Sequence, residues 1–181
     1  MRVSKLLLIL LLNPVILWAQ IDANEEARLA KFKAVFIYNF VEFVKWPETK
    51  NAGSITIGVV SNSFLLPTLE AVARKRKASG EEIVIKKHVT VNDTLIAQSF
   101  PSYHILFVGP ALTDELGMIA ESLAGKHVLI IGDTDGFAKK GVAVNFILID
   151  GKLKFEINTK ALSRAGLEMH SQLLKLGILV E

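Results

Sequence analysis

The sequence predicts an α/β fold, a largely parallel mixed sheet with helices on both faces and a C-terminal antiparallel hairpin, in a single domain. Three observations carry this. Apolar strand-like and helix-like segments alternate along the chain. Residues 103–108 and 127–131 are short, nearly continuous apolar runs, as in strands buried on both faces. Asp150-Gly151 separates two β-forming runs, a strong local signal for a two-residue hairpin turn.

The first 19 of the 181 residues read as a secretory signal peptide: Arg2 and Lys5 precede an apolar run that Asn13-Pro14 interrupts, with cleavage expected near Ala19-Gln20. Residues 20–26 follow as a leader, and 27–181 as the domain. Losing Arg2 and Lys5 from 21 basic residues leaves the mature chain about one charge ahead of its 18 acidic ones. The clusters Arg74-Lys75-Arg76-Lys77 and Lys86-Lys87 have no aromatic residues between the charges, so they read as solvated faces and no nucleic-acid partner is expected. The absence of cysteine rules out disulfides, thiol chemistry and a lipid anchor on cysteine.

Helical spacing over 25–46 sets Phe32, Phe36, Phe40 and Phe43 on one face and Ile37, Val41 and Val44 on a second, until Pro47 ends the helix. A strand over 55–60, a helix over 64–77, a more polar strand over 83–91 and a short helical stretch over 94–99 follow. Thr113 is placed to cap a helix over 113–123 between the two apolar strands. After the hairpin, Thr159 can cap a short helix that stops at Gly166. Ser171 can cap a last helix carrying Leu173, Leu174, Leu176 and Ile178, expected to cover the sheet.

A type I′ turn at Asp150-Gly151 fixes the hairpin register: Leu148 opposite Leu153, Phe146 opposite Phe155 and Val144 opposite Ile157 on a core face. The other face then carries Asn145 across from Glu156, with Asn158 close by. Such a polar patch either hydrogen-bonds a covering segment or forms a recognition surface, and both readings stay open.

Loops after parallel strands share one rim, here Ser61-Asn62-Ser63, Gly109-Pro110 and Gly132-Asp133-Thr134-Asp135-Gly136. The last of these lacks the remaining ligands of an EF-hand, and the first lacks the carboxylates of a phosphoryl-transfer site. Glycine-rich nucleotide motifs and the G-x-S-x-G elbow are missing. His88, His104, His127 and His170 have no zinc-site spacing, so neither metal nor cofactor is expected. A binding protein is favoured over an enzyme.

Lys33-Ala34-Val35-Phe36-Ile37-Tyr38-Asn39-Phe40 leading to Trp46-Pro47, His104-Ile105-Leu106-Phe107, Gly136-Phe137-Ala138 with Gly141, Asn145-Phe146, Phe155-Glu156-Ile157-Asn158, and Ser171 with Leu173-Leu174-Lys175-Leu176 occur in order. Together they resemble the YfiR-like family of exported bacterial proteins. That resemblance implies a periplasmic, non-catalytic, homodimeric domain. Such a domain binds the periplasmic part of an inner-membrane diguanylate cyclase, or another membrane sensor, and represses it, lowering cyclic di-GMP and biofilm formation. It directs attention to Asn145, Glu156 and Asn158, with Trp46 and Phe137 as further candidate contacts. Tyr103 stands where relatives commonly have cysteine. The alternatives are a periplasmic small-molecule binder using Ser61, Asn62, Asp133 and Asp135 at the rim, and an envelope hydrolase.

Overall fold

The computed structural model describes residues 14–50, 53–60, 64–75, 82–88 and 100–181, excluding the side chains of 14–23 and of 49. The expected helix over 94–99, the loop Ser61-Asn62-Ser63 and most of the expected signal peptide lie outside the described residues.

Seven strands form the main sheet: β2 (Ser54–Val60), β3 (Glu82–His88), β4 (Ile105–Val108), β5 (Leu129–Gly132), β6 (Val144–Ile149), β7 (Lys152–Asn158) and β9 (Ile178–Val180). Their order is β3-β2-β4-β5-β6-β7-β9. The first five are parallel, β7 runs antiparallel to β6, and β9 runs parallel to β7. Chain order reverses between β2 and β4, the switch point beside which open α/β sheets place their ligand crevice. A separate antiparallel pair joins β1 (Val44–Lys45) to β8 (Glu168–Met169).

Alternation along the strands divides the core into two layers. Ile57, Phe107, Ile131, Phe146 and Ile157 pack beneath α1 (Pro14–Phe43), α2 (Leu65–Lys75), α4 (Thr159–Ala165) and α5 (Ser171–Leu174). On the other face Val60, Leu106, Val108 and Ile130 meet α3 (Leu116–Ser122) together with Phe100, Tyr103 and Phe137. Helices therefore lie on both faces of a mixed, largely parallel sheet, as the sequence predicts.

Several local expectations change. The first helix ends at Phe43 instead of Trp46, because Val44 and Lys45 pair with Met169 and Glu168 and the Phe43 carbonyl accepts from His170 N. It begins at Pro14, so its backbone is helical through residues 20–26. Phe36 and Phe40 pack on Phe155 at ring-centroid distances of 5.2 and 5.5 Å, whereas Phe32 faces outward. Thr113 does not cap α3, since its hydroxyl donates to Pro110 O at 2.6 Å and closes the preceding 3-10 turn. Asn158 rather than Thr159 caps α4, and His170 rather than Ser171 caps α5.

The largest departure is at the C-terminus. The expected final helix stops at Leu174, and Ile178–Val180 add a strand to the free edge of β7. Gly177 permits it: a Cβ there would fall 2.7 Å from Ile157 Cγ1, so only glycine lets the backbone come this close.

Candidate partner-binding surface

The hairpin turn has both central residues in the left-handed region, Asp150 at φ 51° and Gly151 at φ 69°, which defines a type I′ turn. Val144, Phe146 and Leu148 face Ile157, Phe155 and Leu153, and on the reverse face Asn145 faces Glu156 and Ile147 faces Lys154, as the turn chemistry requires. One part of the expected core face is solvated. Leu148 is 54% exposed, because the β5 ladder reaches only Val144 and Asn145 and the hairpin tip overhangs the core.

Asn145 is fully buried, and its amide nitrogen donates to Thr134 O and to Glu156 Oε2, each at 3.0 Å. Both partners accept, so the amide cannot be turned over, and the side-chain oxygen is left without a donor. Leaving it unpaired costs about 1–3 kcal/mol. That expense secures the Glu156 carboxylate, which stands half-buried on the sheet face.

Asn158 has a different task. Its Oδ1 accepts from Ala161 N at 2.7 Å and its amide donates to Ala138 O at 2.8 Å, tying β7, α4 and the 3-10 turn Ala138–Lys140 together. Phe137 is 1% exposed and lies over Gly132, where an added Cβ would also meet Asn145 Oδ1. Phe137, Asn145, Glu156 and Asn158 thus form one assembly. Trp46 does not join it: it lies in the core of the opposite face, with its ring edge-to-face on His104 at 5.6 Å and its indole N–H unpaired.

Of the five candidate residues, Glu156 has the carboxylate that solvent reaches, while Trp46, Phe137, Asn145 and Asn158 are buried. Around Glu156 the sheet face is open: Lys154 is exposed, Ile147 half-buried, and the register sets Ile178 beside Glu156. Ile178 belongs to this surface although the leucine spacing marks it as helical. The run Ile178-Leu179-Val180 after Gly177 is the strand signal that identifies it.

A second feature occupies the carboxyl ends of the strands. A cleft of about 590 Å³ is lined by Glu26, Phe64, Asp135 and Leu148 and by the ion pair of Lys33 Nζ with Asp133 Oδ2 at 2.8 Å. Ser61 and Asn62, expected at the same rim, lie outside the described residues.

The histidines serve packing and capping. His104 Nδ1 accepts from Thr56 N at 3.1 Å while its Nε2 faces Lys50 O, and His170 Nδ1 caps α5. His88 Nε2 meets the Tyr103 hydroxyl at 2.7 Å; burial, then the Lys86 charge, lower the His88 pKa, and burial raises that of Tyr103. Among the described residues no three metal-capable side chains converge.

A sheet of this order, parallel through five strands with an antiparallel hairpin strand beyond them, defines a domain of the α/β class. The chain belongs to the YfiR/HmsC-like family (DUF4154), whose model matches residues 30–178. This is a family of periplasmic regulators of diguanylate cyclase signalling, regulatory rather than catalytic. No curated protein matches the chain. Among solved structures, a conserved domain protein from Vibrio cholerae O1 biovar El Tor superposes with a TM-score of 0.60 at 13% identity, over 84% of this chain and 60% of that one. The chain therefore spans about 60% of that protein's length, and the likeness is one of fold. Among the described residues no helix is long and apolar enough to cross a membrane.

Proposed function

We propose that this chain, exported and trimmed of residues 1–19, is a non-enzymatic periplasmic regulator. It binds the extracytoplasmic domain of an inner-membrane signalling protein, a diguanylate cyclase, and holds it inactive, so that cyclic di-GMP and biofilm formation fall. The observation that carries the reading is the Glu156 carboxylate, fixed by a buried amide on a sheet face with Ile147, Lys154 and Ile178 around it. A charged group already held in one position loses little freedom on binding, and apolar neighbours raise its worth. Repression requires only that the domain bind the inactive state of the cyclase more tightly than the active one. Phe137, Asn145 and Asn158 act from beneath by shaping this face, Trp46 stabilises the far side, and the regulator works as a homodimer.

The test is recovery of membrane proteins on the purified chain. An inner-membrane cyclase should come down with the native protein and be lost with Glu156→Ala, and removing the chain from the cell should raise cyclic di-GMP. Equal recovery on both proteins, with cyclic di-GMP unchanged, would sink the proposal. The strand-end cleft favours a second reading, a small-molecule binder, because open α/β sheets take ligands at this rim. A soluble ligand that raises Tm through the cleft, with no membrane protein recovered, would decide for it.

A further inference from the structure

A groove of about 750 Å³ runs between α3 and α4; it shares Asn158 with the assembly beneath Glu156 and no lining residue with the strand-end cleft. Its rim carries Lys139, Lys140, Lys160 and Arg164 against two carboxylates, Glu121 and Glu181. Lys160 pairs with Glu181 at 3.1 Å, but among the described residues no carboxylate pairs with Lys139, Lys140 or Arg164. Lys139 and Lys140 come from the 3-10 turn after β5, and Lys160 and Arg164 from α4. The Asn158 amide bonded to Ala138 O fixes these two segments against each other. Four cations from two segments thereby border one depression; Glu181 offsets Lys160 and Lys140 Nζ donates to Thr113 O at 3.5 Å, which leaves Lys139 and Arg164 without a side-chain partner among the described residues.

The floor decides what could fill it. Gly117, Ala120, Ala124, Gly141 and Ala161 give no aromatic surface, and the apolar cavity that the last four share with Leu123, Val128 and Ile130 holds only about 10 Å³. A peptide's side chains would find nothing to select them, and nucleic-acid bases nothing to stack on. A compact anion needs N–H donors around a floor free of bulky side chains, and the three lysines and Arg164 border such a floor.

We propose that this groove is an anion site for a phosphate group, carried either by a soluble phosphomonoester or by the head group of an acidic phospholipid. The inference does not depend on the cyclase reading: Asn158 borders the groove and joins its two sides, but the groups offered to the anion are Lys139, Lys140, Lys160 and Arg164, none of which is a candidate partner-binding residue. Two probes separate the sources. Glycerol phosphate is titrated into the full chain while backbone amide resonances are followed, and the chain is sedimented with vesicles of phosphatidylcholine alone or mixed with phosphatidylglycerol.

Saturable shifts confined to Lys139, Lys140, Gly141, Lys160 and Arg164 assign a soluble phosphate. Capture by the phosphatidylglycerol vesicles alone assigns the lipid head group. In either case the double variant Lys139→Gln/Arg164→Gln, made at exposed positions and checked for an unchanged Tm, should weaken binding about tenfold or more, since two charge-assisted contacts are lost. Absence of both responses in the native chain overturns the proposal. So does binding that the double variant retains, or binding of a polyglutamate peptide without either phosphate probe, which would make the groove a site for an acidic protein segment.

Discussion

Asn145 occupies a position that only an amide can fill as the structure has it. Its nitrogen sits between two acceptors, Thr134 O and Glu156 Oε2. Asn145→Asp keeps the shape but sets a carboxylate against a carbonyl and a second carboxylate, so it should lower stability by about 3 kcal/mol, read as a reduced urea midpoint. Asn145→Leu removes the donor without adding charge and should cost less. A neutral Asn145→Asp would mean that the two hydrogen bonds contribute nothing.

Lys50 makes a different kind of residue-scale commitment: its ammonium donates to Pro101 O at 2.8 Å and to Lys126 O at 2.7 Å. Burial lowers its pKa from 10.5 to about 8. In the window between those values the unfolded chain holds more protons than the folded one, so stability rises with pH from about 8 to 10.5. Below it both states are charged and the burial cost is present in full. Urea midpoints measured across this window should rise for the native chain and flatten for Lys50→Met. The polar pairing of Asn145 with Glu156 was legible because a two-residue turn leaves no freedom of register. The burial of Trp46 and the desolvation of Lys50 were not, since each depends on segments from elsewhere in the chain, His104 just before β4 for the first and the backbone at Pro101 and Lys126 for the second.

At the level of elements, strands declared themselves wherever apolar runs were continuous, and the alternation with helices gave the parallel sheet. Helix ends were harder to read. Thr113, Thr159 and Ser171 are all sound cap residues, yet the neighbouring Asn158 and His170 supply the caps of α4 and α5, and Thr113 closes a turn. The C-terminal segment was misread for a tertiary reason. Leucines at helical spacing are ambiguous over so short a stretch, and the free edge of β7 draws Ile178–Val180 into the sheet. Gly177 decides that outcome, because its missing side chain leaves room for Ile157 and Phe155. Gly177→Val should detach β9. Hydrogen exchange would then quicken at residues 178–180 with the rest of the sheet still protected, and stability should fall by about 1–3 kcal/mol. Unchanged protection at 178–180 would show that the backbone has room to move away from β7.

Across the whole molecule, α1 meets the hairpin from the other side of the sheet, with Phe36 and Phe40 on Phe155. Lys33 on the same helix reaches Asp133 in the loop after β5, and the next residue, Thr134, holds Asn145 through its carbonyl. A continuous physical route therefore runs from α1 through the ion pair and the loop to the carboxylate of Glu156. The pair is largely buried, so removing one member leaves a charge poorly compensated, whereas replacing both relieves that cost. Lys33→Met should destabilise the chain by about 3 kcal/mol, and Lys33→Met/Asp133→Leu should regain much of the loss in urea unfolding. If the loop transmits position as well as stability, Lys33→Met should also weaken capture of the membrane partner, although Lys33 lies on the other side of the sheet from Glu156. The double variant separates the two effects: stability restored with capture still weak means that the ion pair orients the loop. Stability and capture recovering together would mean that Lys33 acts through the fold alone.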